Sequence, residues 1–380
     1  ISYEDAKEQL HDLIIDAVKI RLQSDVPCGS FLSGGIDSAL TSAIANSIQK
    51  EKLKTFTIGF DEKEFDESQF AGQFAKIIGS DHHLIQSTQE ELPTLLDDFF
   101  KAYDEPFADS SAIPSLLLNK KVKPHVTVAL SGDGGDESFL GYNHFEWAKK
   151  VYMLFLIPLF IRRLATYFMP FKWIGKRGPS IKNIMLMKSF NVFIESIFTG
   201  FDTLLLKDKK QWMSHYKKYL FLSKNKFQKV ADLNLKLWLE NDSNVKVDRA
   251  SMVFSVEVRS PFLDYRIIEF ARSLPVKYRL YGSKRKRILR DILSNYIPEL
   301  VFDQPKKGFS IPLAAWIRHS LKDELSKYLK TDKLNPIENL DIAKIQRLFE
   351  LHLTKDVDYS SYLWRVYVLS KWIHLNKKQK

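Results

Sequence analysis

From Ser2 to Leu22, apolar residues recur at Ala6, Leu10, Leu13, Ile14, Ala17 and Val18, the i, i+3, i+4 spacing that predicts an amphipathic helix. The period then shortens. Val26 to Leu32 reads as a strand, and beyond two adjacent glycines Ile36, Leu40, Ile44 and Ile48 fall four apart with Ala39 and Ala43 beside them, predicting a helix packed on a sheet. A second β-rich run, Lys54 to Phe60, leads into helical spacing from Asp66 to Ile78 that stops at Gly79. His83 to Ile85 reads as a third, short strand. Thr88 with Glu91 forms a capping box before a helix carrying Leu92, Leu95, Leu96, Phe99 and Phe100, and Val126 to Leu130 has the composition of a buried strand.

Strands alternating with helices over Val26 to Leu130 predict a parallel α/β sheet. After about Tyr142 the pattern is helical almost throughout. The expected organisation is an α/β core over 1–150, a variable helical region over 151–240 that mixes aromatics with basic clusters such as Lys207 to Lys210, and a helical part over 241–380 that completes the active site. The most apolar run, Val151 to Ile161, is about half the ~20 residues a membrane span needs. It contains Pro158 and is followed by Arg162 and Arg163, so it reads as a buried or interfacial helix, and no membrane span is expected.

Charge narrows the partners only partly. Fifty-seven Lys and Arg against 46 Asp and Glu give a net charge of +11, which favours anionic partners: nucleotides, phosphorylated substrates, nucleic acid or a membrane surface. The one cysteine, Cys28, excludes an intramolecular disulfide framework and a Cys-rich metal site; it fits a reducing compartment, the cytoplasm by expectation, and reads as strand core rather than nucleophile. The adjacent His82 and His83 point to opposite faces of a strand, which argues against a shared metal. The chain opens on Ile rather than Met, with no signal-peptide pattern, and is expected to be a piece of a longer protein.

Chemistry concentrates in two loops. FLSGGIDS, at Phe31 to Ser38, puts two glycines between strand and helix, where backbone amides and the positive helix end form an anion cradle. Asp37 would repel a phosphate unless a divalent cation sits between them; a tight turn with a capping Asp is the plainer alternative. No Gly-Lys-Ser/Thr ending follows, so this is not a Walker A loop, and no third glycine completes a dinucleotide fingerprint. SGDGGDE, at Ser131 to Glu137, again follows a strand, again begins Ser-Gly, and brings Asp136 to a strand's carboxyl end. In an open α/β sheet both loops face the same edge, where two carboxylates suit Mg²⁺ bridging polyphosphate oxygens.

FLSGGIDS resembles the pyrophosphate loop of the ATP pyrophosphatases. In order, SGDGGDE, VDRASM, VEVRSPFLD, RKRILR and KKGFSIPLAAW resemble blocks of the synthetase domain of glutamine-dependent asparagine synthetases. The resemblance spans roughly Ser2 to Trp316. It implies an adenine-nucleotide alpha-hydrolase-like (HUP-type) parallel-sheet core with a large helical C-terminal part. It also implies a ligase that uses ATP and Mg²⁺ to convert a carboxylate, aspartate first, into an acyl-adenylate that ammonia then amidates.

Carried across, Ser33, Gly34, Gly35, Asp37 and Ser38 hold pyrophosphate, and Asp37 and Asp136 bind Mg²⁺. Leu32, Ile58, Ser131 and Gly132 contact adenosine. Lys306 steadies the α-phosphate, Lys286 is a second phosphate contact, and Asp133 stands where the family commonly has a Glu that guides intermediate formation. Asp133 is one methylene shorter, which leaves sugar acids or peptide carboxylates open as acceptors. Arg249, Glu257, Arg259 and Asp264 either shape the acceptor pocket or pair to hold helices together. The family's glutaminase domain, with its amino-terminal cysteine, is absent from this chain, so free ammonia is the expected nitrogen source. A tRNA-modifying adenylating enzyme suits the charge. Its sulfur-transferring versions need a second cysteine, however, and its lysine-ligating versions are not expected to carry SGDGGDE. A non-catalytic binding protein is disfavoured by intact Asp37, Asp136 and Lys306.

Overall fold

The computed structural model describes residues 1–60, 66–87, 91–169, 178–199, 205–207, 223, 225–303, 311–354 and 357–376. Helix α1 (Tyr3–Arg21) is capped by Ser2, whose hydroxyl accepts from the Asp5 amide, and buries Ala6, Leu10, Ile14, Ala17 and Val18, the predicted stripe. It leads to β1 (Cys28–Phe31), α2 (Ile36–Ile48), β2 (Lys54–Gly59), α3 (Ser68–Ile78) and β3 (Asp81–Gln86). Gly79 ends α3 with φ +75°, a left-handed stop that glycine takes without strain. Next come α4 (Leu92–Ala102), α5 (Ala112–Val122), β4 (Val128–Leu130) and α6 (Gly135–Ser138). Thr88, of the expected capping box, lies outside the described residues, as do residues 208–210 of the basic cluster.

The chain then forms α7 (Asn143–Phe155), α8 (Leu159–Phe168), α9 (Gly178–Leu186), α10 (Phe190–Thr199) and α11 (Lys226–Leu233). A π-helical stretch, Asn234–Ser243, runs into α12 (Asn244–Met252). Strand β5 (Glu257–Arg259), α13 (Tyr265–Ser273), α14 (Val276–Arg279), the hairpin β6 (Leu280–Tyr281) and β7 (Lys284–Arg285), and α15 (Arg287–Leu293) follow, with further helices as far as Asn376.

The sheet is parallel throughout, in the order β3-β2-β1-β4-β5. Its fifth strand comes from beyond the middle helical stretch. Buried clusters cover it on both sides: α1, α2, α3, α13 and α15 contribute to one, and α4, α5 and the C-terminal helices to the other. From β1 the chain builds outward through β2 and β3, then returns to place β4 on β1's other side. That reversal makes a topological switch point between β1 and β4, where a crevice opens beyond the strands' carboxyl ends.

Candidate active site

Both Gly-rich loops flank this crevice. Ser30 of β1 pairs with Leu130 of β4, so the chain leaves the two strands at nearly the same level. In the first loop the hydroxyls of Ser33 and Ser38 lie 2.8 Å apart, and the Ser38 hydroxyl also accepts from the Ser33 amide at 3.1 Å. Asp37, in the first turn of α2, is buried beneath the second loop. A Cβ on Gly135 would lie 2.4 Å from Cγ of Asp37, and one on Gly141 would lie 1.9 Å from Oδ1 of Asp136. The second loop's glycines therefore answer a packing demand. A side chain at Gly135 would hold the two acidic loops apart, and one at Gly141 would displace Asp136 and Lys286.

Between the two carboxylates sits the ammonium of Lys286. It donates to Oδ2 of Asp37 and lies 2.6 Å from Oδ1 of Asp136. The β6/β7 hairpin, turning at Gly282 with φ +60°, delivers this lysine in a left-handed conformation of its own, φ +51°. That backbone costs a non-glycine residue about 1 kcal/mol and is held in place by the buried ion pairs. Burial pulls the Lys286 pKa down, but the carboxylates of Asp136 and Asp37 outweigh it and hold the ammonium charged well above the usual lysine range.

A cavity of about 620 Å³ opens beside this triad. It is lined by Leu32, Ser33, Gly34, Gly35, Asp37, Ser38, Ile58, Ser131, Gly132, Asp133, Asp136 and Lys286. Of the residues expected to bind nucleotide, bind metal or act in catalysis, all but Lys306, which lies outside the described residues, line this cavity. Asp133 is pushed above the usual carboxylate range by burial, and Asp136 adds to the push; a hydrogen bond from Ser131 and the charge of Lys246 act against it. Four residues on, Glu137 is pushed up to about 7 by burial and by Asp136, although it accepts a 2.6 Å hydrogen bond from the Tyr142 hydroxyl.

Sequence reasoning missed the other charged wall. Lys246, on α12, donates to Asp109 at 3.0 Å and to the Ser111 hydroxyl at 2.9 Å, and all three line the cavity. Burial draws the Lys246 pKa down, yet Asp109 and Asp242 keep it raised, while burial and Asp109 push Asp242 up to about 7. Within VKVDRASM nothing sets Lys246 apart from Arg249, one helical turn later; the packing of α12 on α5 brings it to the cavity. The π-helical stretch immediately before α12 places Trp238 and Ser243 on the same cavity.

Arg249, Glu257, Arg259 and Asp264 do not line the cavity. They tie elements together instead. Arg249 pairs with Asp104 at 3.1 Å; Arg259 pairs with Glu257 and donates to the carbonyls of Arg21 and Gln23. Asp264 caps α13 and accepts from Arg266 and Arg21. Cys28 is also away from the cavity, its thiol pushed up to about 11 by burial, which leaves it a poor nucleophile. His82 bonds Thr55 and His83 bonds Asp81, each on its own side of the strand.

The donors at the triad are hard carboxylate and hydroxyl oxygens, the set that suits Mg²⁺. Since one ammonium touches both Asp37 and Asp136, one cation can do so too. Among the described residues no group of three or more His, Cys, Asp or Glu is arranged to hold a metal ion, so a cation here would complete its shell with ligand oxygens.

Comparison with known proteins agrees with this architecture. The chain is 28% identical to asparagine synthetase [glutamine-hydrolyzing] 1 of Bacillus subtilis over 97% of its own length and 59% of that protein. It is 34% identical to putative asparagine synthetase [glutamine-hydrolyzing] 2 of Methanocaldococcus jannaschii over 65% of its length and 49% of that protein, and 24% identical to amidase chyE of Penicillium rubens over 99% and 62%. It therefore spans about half to three-fifths of the curated relatives it matches. With residues 9–374 matching the family model described as asparagine synthase, on a parallel sheet whose switch-point loops carry the motifs, the chain belongs to the asparagine synthase family.

Proposed function

We propose that this chain is the synthetase portion of an ATP-dependent amidating ligase. The observation that carries the reading is the convergence of Asp37, Asp136 and Lys286 beside one cavity whose floor is the first Gly-rich loop. ATP enters with its base against Leu32, Ile58, Ser131 and Gly132 and its phosphates over Ser33 to Ser38 at the positive end of α2. Asp37 and Asp136 would hold Mg²⁺, whose charge would offset that of the polyphosphate. Lys286, released from its carboxylates, turns its ammonium to a phosphate oxygen, and Lys306 takes the α-phosphate.

The acceptor binds around Lys246, Asp109, Ser111 and Asp133. Its carboxylate oxygen forms a bond to the α-phosphorus, pyrophosphate leaves, and the resulting acyl-adenylate is attacked at its acyl carbon by ammonia with departure of AMP. A carboxylate resists amines because its leaving group is oxide, so the adenylate supplies the missing leaving group. Positioning and charge stabilisation are the protein's main contributions. Ser110 and Ser111 beside Lys246 offer the polar contacts a small dicarboxylic amino acid needs, which supports aspartate as acceptor. Asp133 in place of the longer Glu supports a sugar acid or peptide carboxylate as the second reading. The length by which the curated relatives exceed this chain supports a glutaminase domain elsewhere in the full protein.

The test is product analysis with Mg-ATP and a panel of aspartate, uronic acids and short acidic peptides. Acceptor-dependent pyrophosphate and AMP in equal amounts, with an amide formed from ammonium, is expected; amide formation from glutamine alone by this chain would refute the assignment of nitrogen source.

A further inference from the structure

Helix α8 is built the wrong way round for a helix of a water-soluble surface. Phe160, Ile161, Leu164, Tyr167 and Phe168 fall at i, i+1, i+4, i+7 and i+8, a single helical face, and that face is exposed: Phe160 is 71%, Tyr167 84% and Phe168 79% accessible. One of its two arginines lies inside. Arg162 is buried, stacks over the Phe155 ring at 4.5 Å and donates to the carbonyls of Ile157, Met185 and Met187. These bonds fasten α8 to its neighbours with the apolar stripe outward. Met153 on α7 and Leu156 just beyond its end are exposed as well.

Charge identifies the occupant. From Trp147 to Thr199 the sequence holds nine Lys and Arg against a single Glu, and Lys149, Lys150, Arg163, Lys182 and Lys188 are exposed. An outward apolar and aromatic stripe flanked by cations is the pattern of a helix lying in the headgroup region of an anionic bilayer. Spanning is a different matter. No single helix among the described residues is long and apolar enough to cross a membrane, and the segments Gly135–Phe155 and Leu159–Phe168 bend by 99° where they meet.

We infer that the α7–α8 face docks on an anionic phospholipid surface, with the α8 stripe in the interface and the surrounding cations on the lipid headgroups. This inference does not rest on the ligase reading. Because α7 begins at Asn143, a cavity-lining residue, docking brings the cavity within a helix length of the lipid.

The experiment is co-flotation of the chain with phosphatidylcholine vesicles with and without phosphatidylglycerol. Flotation with the anionic vesicles alone, weakened by added salt, is expected. Phe160→Ser with Phe168→Ser, whose side chains are exposed, lowers the partition at least about tenfold with an unchanged thermal melt, and Arg163→Glu lowers it about fivefold. Wild-type chain that stays at the bottom with both vesicles, or a double variant that floats as well as wild type, overturns the inference. So does a double variant that turns a dimer into a monomer in sedimentation, which would assign the face to a second copy.

Discussion

The ammonium of Lys286 contacts the carboxylates of Asp37 and Asp136, two acids nearly a hundred residues apart in sequence whose loops follow neighbouring strands β1 and β4. The lysine is buried, and its ammonium offsets the charge of both carboxylates. Lys286→Met should destabilise the ligand-free chain by about 3 kcal/mol or more in urea unfolding, because it removes a buried cation that contacts both acids. Asp37→Asn added to that variant should recover part of the loss, giving a coupling of about 1 kcal/mol or more; strict additivity would separate the lysine from the acid.

Glycine substitutions discriminate the packing demand from general backbone effects. Gly135→Ala drives a methyl into Asp37 and should cost about 1–3 kcal/mol. Gly72→Ala, inside α3 with nothing within 4 Å of the added carbon, should stabilise by about 0.5–1 kcal/mol. Equal effects on the thermal melt would show that the second loop's glycines are not there to admit Asp37.

These contrasts also mark what the sequence could convey. Amphipathic α1 and α3 and the strand-loop-helix units around Ser33 and Ser131 carry period and punctuation, and they appear where expected, with β3 longer than the short strand read at His83 to Ile85. Helix α5 has no legible period in the sequence, because nine of its 11 residues, polar Ser115 and Asn119 included, are buried and leave no amphipathic face. Strand β5 is three residues long and only partly buried, too brief for alternation to register. Lys246 went unnoticed for a different reason. Its place on the cavity follows from the packing of α12 on α5, a tertiary fact with no local trace.

Acid should loosen the junction of α1 and α13. Hydrogen bonding from Arg266, with a further bond from Arg21, lowers Asp264 to about 2 from an ordinary 3.8. A folded value below the unfolded one means that its stabilisation is complete above about pH 4 and is lost as pH falls toward 2. Asp264→Asn, which keeps the helix cap but not the charge, should therefore melt below wild type near neutrality, and the gap should close over that acid window. A gap that widens on acidification would contradict the sign.

Cys28 provides a control for the chemistry. Its thiol is raised by burial and lies off the cavity, so Cys28→Ala should leave acceptor-dependent pyrophosphate release within about twofold of wild type. A loss comparable to that of a cavity residue would reopen a nucleophilic role.

The most direct test of the account is acceptor-dependent pyrophosphate release from Mg-ATP by Asp37→Ala and Asp136→Ala, each measured beside wild type across a magnesium titration. If both acids serve one magnesium-nucleotide complex, each variant loses at least about a hundredfold in rate and the double variant loses little more than either alone. Near-wild-type release by either single variant, or losses that multiply in the double variant, would contradict it.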